Sequence, residues 1–216
     1  MFFVIEGPDG TGKTKQSEQL VARLEREGRS VFSISFPRYE TPTGMRVREY
    51  LNGKFGTIEE VGAKEGSRFY ADDRKAAADE IRAALEAGKV VVANRYVASN
   101  SAHQGSKIHD AAERRAFFAW NDDLEYRENS IPVPTAYFIL SLPYEVAMKR
   151  VDIRGNAKDM HELDPDHLRR AHDVYMELAE LFPERFRVVD CMNGAEELTI
   201  EQVHERVWTQ VLAHLR

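Results

Sequence analysis

A short apolar run, Phe2-Phe3-Val4-Ile5-Glu6, leads directly into Gly7-Pro8-Asp9-Gly10-Thr11-Gly12-Lys13-Thr14. The second segment matches G-x-x-x-x-G-K-[ST] in full, the pattern of a loop that cradles phosphate groups. Glycine lets backbone N–H groups approach phosphate oxygens in conformations that a Cβ hinders. From Lys13 onward no helix breaker occurs until Gly28. The loop is therefore expected to open onto a helix N-terminus, where unpaired N–H groups and a partial positive charge suit a polyphosphate. Gly7, Gly10, Thr11, Gly12, Lys13 and Thr14 are the residues expected at a donor nucleotide. Lys13 would reach the β- and γ-phosphates, and the Thr14 hydroxyl would ligand Mg²⁺. This much implies a nucleoside triphosphate and leaves open what receives its phosphate.

The elements that would position such a loop follow from periodicity. Leu20, Val21 and Leu24 share one face of the helix after the loop, and Gly28 is a natural stop. Val31 to Phe36 is expected to form a second strand, ended by Pro37. Thr41-Pro42-Thr43 would cap a short helix reaching Tyr50, and a long helix is expected from Ile58 to Ala87, with Gly62 and Gly66 as weak points. Val90 to Ala93 has the apolar character of a central parallel strand. A helix from about Ser101, interrupted between Gly105 and His109, would resume through Arg127 and carry Phe117, Phe118, Trp120, Leu124 and Tyr126 as core or subunit contacts. Ile131-Pro132-Val133-Pro134 is a stiff lead into a strand from Ala136 to Leu140. Pro143 would start the next helix, Asp164-Pro165 another, and Thr199 the last, with Phe186 to Asp190 as the fifth strand. The segment from Arg154 to Glu162 has no periodicity and is expected to be a loop. Five strands alternating with helices indicate an α/β chain: one domain built on a doubly wound parallel sheet with helices on both faces.

Composition narrows the class. A chain of 216 residues can bury a sizeable core without disulfides. Lysine and arginine total 30 against 36 acidic residues, a formal charge of −6. That balance disfavours a nucleic-acid binder held by its net field. Cys191 is the single cysteine, which excludes an intramolecular disulfide and suits a reducing cytosol; burial beside a strand is the expected role for its thiol. No apolar run approaches a membrane span, and the first strand lacks the features of a signal peptide, so a soluble, cytoplasmic protein is expected.

Ligand loops of a doubly wound sheet lie beyond the C-terminal ends of its strands. The phosphate loop, Phe36-Pro37-Arg38-Tyr39, Asn94 to Asn100, and the loop carrying Arg150, Arg154 and Lys158 all fall there. Together with Asp73-Arg74 and Ile131-Pro132-Val133-Pro134, these segments resemble the thymidylate kinase family nearly end to end. The phosphate loop is shared by many nucleotide enzymes; its combination with Phe-Pro-Arg-Tyr and Arg95-Tyr96-Val97-Ala98-Ser99 is far more specific. The resemblance implies transfer of the γ-phosphoryl of ATP to dTMP with Mg²⁺, by a homodimer. Under it Tyr70 would stack on the base, Phe36 would pack beside it, Arg74 would donate to O4 and Asn100 would serve the N3 edge. Arg38 and Arg95 would clamp the acceptor phosphate, Tyr39 would lie near the sugar, and Asp9 would bind the 3′-hydroxyl. His103, Gln104 and Glu162 complete the implied acceptor set. Since Gly10-Thr11 supplies no cation, the transition-state arginine is expected from a mobile lid at about 150–164, with Arg154 ranked before Arg150 and Lys158. Lys158 is also expected on the ATP side.

Phosphate-to-phosphate transfer needs no general base, so catalysis would rest on positioning and on electrostatic stabilisation by Lys13, Arg38, Arg95 and the lid. Kinases of other (deoxy)nucleoside monophosphates, nucleoside kinases and a catalytically weakened nucleotide-binding module stand as alternatives. A nucleoside kinase wants a carboxylate base where this chain has Phe36-Pro37-Arg38, and a switch GTPase lacks support because no N-K-x-D segment occurs. Two departures from the family pattern stand out. His103 falls where relatives often carry a tyrosine, which would loosen discrimination against ribonucleotides or alter the pH profile, unless it is a helix-surface histidine. Asn94 stands where the family usually has aspartate, so the metal would lean more on Thr14 and the phosphates. Asn94→Asp is therefore expected to shift the Mg²⁺ dependence of the rate; a Mg²⁺ titration superimposable on that of the parent would contradict this.

Overall fold

The computed structural model describes residues 1–154 and 164–215. Strands β1 (Phe2–Glu6), β2 (Val31–Ser35), β3 (Val90–Asn94), β4 (Ala136–Ser141) and β5 (Phe186–Asp190) form one parallel sheet in the order β2-β3-β1-β4-β5. β1 lies at the centre, with Val4 opposite Ala93 on one side and Tyr137 on the other. The order reverses at β1, so the loop leaving it opens into the crevice where such sheets bind ligands.

Alternation along the strands sorts the core into two layers. Phe2, Val4, Val91, Ala93, Tyr137 and Ile139 face one side. There they meet helices α3 (Ile58–Glu86), α4 (Val97–Gly105), α5 (Ala111–Asp122) and α7 (Pro165–Leu181) through Ile81, Ala102, Phe117 and Tyr175. Phe3, Ile5, Val92, Phe138 and Leu140 face the other side, against α1 (Lys13–Arg26), α6 (Tyr144–Arg154) and α8 (Ile200–Leu215). Helices thus cover both faces, as the element order implied. The remaining helix, α2 (Pro42–Leu51), packs Val47, Tyr50 and Leu51 against Phe69 and Tyr70 of α3. Thr41 caps α2 by accepting the Gly44 N–H, and Asp164 caps α7 through the N–H groups of Asp166 and His167.

Several boundaries differ from expectation for identifiable reasons. The helix expected from about Ser101 begins at Val97, because a carboxylate distant in sequence caps it (below). The long helix is broken at Gly62, whose φ of 68° and ψ of 175° only glycine adopts readily. α5 ends at Asp122 and passes into a π-helical turn, Asp123–Glu128, instead of continuing as α-helix to Arg127. β2 ends at Ser35, one residue before Phe36. A two-residue hairpin, β6 (Met192–Asn193) and β7 (Glu196–Glu197), follows β5 and was absent from the sequence-based outline. Cys191 is buried, and burial pushes its thiol up to about 11, the inert behaviour expected of it. Phe117, Phe118 and Leu124 are core residues, whereas Trp120 and Tyr126 are partly exposed.

Candidate active site

The phosphate loop joins β1 to α1 as expected. Gly12 is the N-cap of α1 with φ 91°, and a Cβ there would meet no atom within 4 Å, so the space before the helix is open. Gly10 is needed for closeness as well as for its φ of 83°: a Cβ there would sit 2.1 Å from the Ala147 carbonyl oxygen of α6. No side chain caps α1 and no acidic residue lies in its first turn, which leaves its N–H groups to an anion. Lys13 is buried, with Nζ donating to the Pro8 carbonyl at 2.8 Å and lying 3.7 Å from Asp9.

At the foot of the loop, Asn94 Nδ2 donates to Ser35 Oγ at 3.1 Å and approaches Thr14 Oγ1 at 3.4 Å. Asn94 Oδ1 is buried without a hydrogen-bond partner. Thr14 and the Asn94 amide thus offer two neutral oxygens, a set that fits a hard cation shared with phosphate oxygens. Among the described residues no cluster of three carboxylate, histidine or cysteine side chains stands ready to hold a metal without them.

A residue given no role by sequence ties the loop to the rest of the site. Glu6, at the end of β1, is fully buried. Its carboxylate accepts the Tyr96 N–H at 2.7 Å, the Ser99 N–H at 3.1 Å, the Ser99 hydroxyl at 2.7 Å and the Tyr175 hydroxyl at 3.0 Å. It therefore serves as the N-terminal cap of α4, whose own N-cap residue, Tyr96, contributes no side-chain bond. Arg95, just before that cap, takes the left-handed conformation with φ 66°, and its amide donates to the Ile5 carbonyl. Its guanidinium pairs with Asp9 of the phosphate loop and contacts Ser99 and His103. Burial opposes the charge of Arg95, but Asp9, together with Tyr175, Glu6 and Tyr39, outweighs it and holds the guanidinium above its ordinary pKa.

Beyond Arg95 opens a cleft lined by aromatic and polar side chains. Phe36, Tyr39, Tyr70, Arg74, Arg95, Asn100, His103 and Gln104, all expected around an acceptor, line it together. Arg74 is almost wholly buried, and its Nε and Nη2 donate to Glu125 of the π-helical turn. Burial disfavours the Arg74 charge, and Glu125 more than offsets that. Asn100 donates from Nδ2 to the Ser67 carbonyl at 3.2 Å and to Asn121 Oδ1 at 3.0 Å. Its Oδ1 has no hydrogen-bond partner, and neither amide atom of the buried Gln104 has one.

Other expected residues fall elsewhere. Arg38 is not on the cleft wall. Asp73, buried under the turn after β2, accepts the Arg38 backbone N–H, its Nε and the Thr43 hydroxyl, while Glu80 takes Nη1 at 3.3 Å. Arg150 lies on α6 beside the phosphate loop, paired with Glu197 of β7 and 3.5 Å from the Gly10 carbonyl oxygen. The Arg154 side chain, Lys158 and Glu162 lie outside the described residues, as does most of the expected lid. His103 is not a helix-surface histidine: it faces the cleft, 3.4 Å from Arg95. Burial, with Arg95 and Lys13 nearby, lowers its pKa to about 3 despite Asp9, so it does not titrate near neutrality as a tuner of the pH profile. Sequence reasoning missed Glu6, Asp73, Glu125 and Asn121. For Glu6 a signal existed, a charged residue closing an otherwise apolar central strand.

The family profile described as thymidylate kinase matches residues 5–207. The chain is 32% identical over 185 residues to the thymidylate kinase of Mycobacterium tuberculosis (strain CDC 1551 / Oshkosh), covering 83% of this chain and 86% of that protein. It is 34% identical over 213 residues to the thymidylate kinase of Thermomicrobium roseum, covering 97% and 93%. It is 31% identical over 213 residues to the probable thymidylate kinase of Thermococcus kodakarensis, covering 96% and 95%.

The buried histidines carry a consequence for stability. His167 is lowered to about 4 by burial and by Lys107, and His204 is lowered by burial and by Arg23. With His103, these groups are neutral in the folded chain and take up protons near pH 6.5 once unfolded. The unfolded state then binds more protons, so stability is present above about pH 6.5 and falls as pH drops toward the folded values. Each fully shifted histidine contributes up to about 1.4 kcal/mol per pH unit. Urea midpoints are expected to fall between pH 7 and pH 5, and His167→Gln is expected to flatten that fall. Midpoints independent of pH over this range would contradict the assignment.

Proposed function

The chain belongs to the thymidylate kinase family, and we propose that it transfers the γ-phosphoryl group of ATP to dTMP, giving dTDP and ADP. The observation that carries this reading is Arg95. It stands between the phosphate loop, through Asp9, and the cleft wall, through His103 and Ser99. A guanidinium so placed meets the acceptor phosphate where the donor phosphates end.

The donor triphosphate would lie along the N–H groups from Gly10 to Thr14, with Lys13 turning from Pro8 toward it. The acceptor base would enter the cleft, between Tyr70 and Phe36, with its polar edge toward Arg74, Asn100 and Gln104. Thr14 and Asn94 would hold Mg²⁺, whose contribution is to neutralise charge on the donor phosphates. The acceptor oxygen is already anionic near neutral pH, so no side chain need remove a proton. Lys13 and Arg95 lower the repulsion between two polyanions, and Arg150 stands beside Gly10 as a further cation for the donor side. Arg38 would join the acceptor phosphate by giving up Glu80, its most exposed partner, while Asp73 keeps its turn in place. Arg154, Lys158 and Glu162 remain the proposed lid contributors. A homodimer and a cytoplasmic setting accompany the family reading; among the described residues no helix is long and apolar enough to cross a membrane.

A coupled assay of ADP formation with a panel of nucleoside monophosphates tests the proposal: dTMP should be the preferred acceptor, and failure of every monophosphate would overturn it. Asp9→Ala removes the partner of Arg95 and the proposed ligand of the 3′-hydroxyl. It is expected to lower kcat/KM for dTMP by about 10- to 100-fold while leaving ATP affinity within about twofold. Equal losses for both substrates would count against placing Asp9 on the acceptor side.

A further inference from the structure

Resting on that reading, we propose that Lys107, which lies outside the cleft lining, is a positioning residue that sets the distance between the two walls of the acceptor cleft. One wall is α4, which presents Asn100, His103 and Gln104; the other is formed by Leu51 of α2 and Tyr70 of α3. Lys107 follows α4 by two residues, and its N–H closes back on the Gln104 carbonyl at 3.2 Å. From there the side chain crosses to the opposite wall. Nζ donates to the Tyr50 hydroxyl at 2.8 Å and stands 3.5 Å from the carbonyl oxygens of Ile58 and Gly62. An ammonium has three hydrogens, and all three of these oxygens belong to α2 or α3. Burial lowers the Lys107 pKa to about 8 against the opposing pull of Glu59, so the charge is kept at neutral pH.

The backbone leaves this wall loosely tied where Lys107 grips it. Gly53 and Gly56 take positive φ between α2 and α3, and α3 breaks at Gly62. The start of α2 is close-packed instead: a Cβ at Gly44 would fall 1.9 Å from the Arg38 carbonyl oxygen. The helix is thus anchored at its first turn and pinned near its last through Tyr50. The Tyr50 ring in turn stacks on Phe69 at 5.1 Å and meets Tyr70 edge-on at 6.1 Å. Holding the Tyr50 hydroxyl therefore holds Tyr70, the ring proposed to cover the base. The two walls converge at Gly66, where a Cβ would lie 2.4 Å from Gln104 Oε1 and 3.0 Å from the Tyr50 hydroxyl. With no slack at that point, the grip of Lys107 decides how closely Tyr70 and Gln104 approach across the cleft.

Calorimetric titration of dTMP, steady-state kinetics and amide hydrogen exchange on the intact chain test this with Lys107→Met, Tyr50→Phe and the double variant. Lys107→Met is expected to raise Kd and KM for dTMP about tenfold, with kcat and ATP affinity within about twofold, because Lys107 touches no reacting group. Exchange should quicken between Gly53 and Gly62 and stay unchanged in the sheet. Tyr50→Phe keeps the stacked ring and loses only the hydroxyl, so a smaller rise in the same direction is expected; it carries the test if Lys107→Met does not fold. The double variant should bind dTMP no more weakly than Lys107→Met alone, since the bond between the two side chains is already gone. Additive losses would show the two acting apart and overturn the inference. So would a fall in kcat with KM unchanged, or an exchange increase spread over the whole chain. A wild-type chain that binds no dTMP would strike the proposed function alone, because the exchange pattern judges the grip of Lys107 without any ligand.

Discussion

The carboxylate of Glu6 is the point from which the site is built. A buried charge survives only where enough donors replace its water, and here two backbone N–H groups and two hydroxyls do so. Those donors belong to α4 and α7, whereas Glu6 ends the central strand that enters the phosphate loop. One anion thereby fixes the loop for the donor against Arg95 and the helix that carries Asn100, His103 and Gln104 for the acceptor. The left-handed backbone of Arg95 follows from that junction. The chain must turn sharply between the last bond of β3 and the cap of α4, and Glu6 holds both Tyr96 and Ser99 in the turned arrangement.

A recurring device surrounds this centre: each buried or half-buried arginine near the cleft is matched to a carboxylate on another element. Arg74 has Glu125, Arg95 has Asp9, Arg38 has Asp73, and Arg150 has Glu197. Removing one partner of a buried pair leaves an uncompensated charge, which costs about 3–5 kcal/mol. The pairs therefore restrain where the cations lie before any phosphate arrives. The more exposed partners, Glu80 and Glu197, are those that an incoming anion would most readily displace.

Features set by local sequence were legible. The phosphate loop follows from eight consecutive residues, the sheet from five apolar runs, and the caps at Thr41 and Asp164 from side chains next to the helices they start. The cleft residues came from resemblance to a family, since nothing local brings Phe36, Tyr70 and Asn100 together. What escaped depends on partners far apart in the chain. Glu6 and Tyr96 are separated by 90 residues, Glu6 and Tyr175 by 169, and Arg74 and Glu125 by 51. The start of α4 was misjudged for that reason: a cap supplied from β1 leaves no trace in the residues preceding Val97. Arg38 was assigned to the acceptor phosphate by resemblance to the family, and its place after a strand could not reveal the competing carboxylates on α3.

The most direct test of Glu6 as organiser is the dTMP dependence of the reaction catalysed by Glu6→Gln at saturating ATP. Glutamine keeps the size but turns an NH₂ group toward donors that need an acceptor. If Glu6 positions the acceptor helix, kcat/KM for dTMP should fall by about 100-fold, the scale of a misplacement near 1 Å, in a protein that is folded by circular dichroism. A variant with wild-type kcat/KM for dTMP would contradict the account.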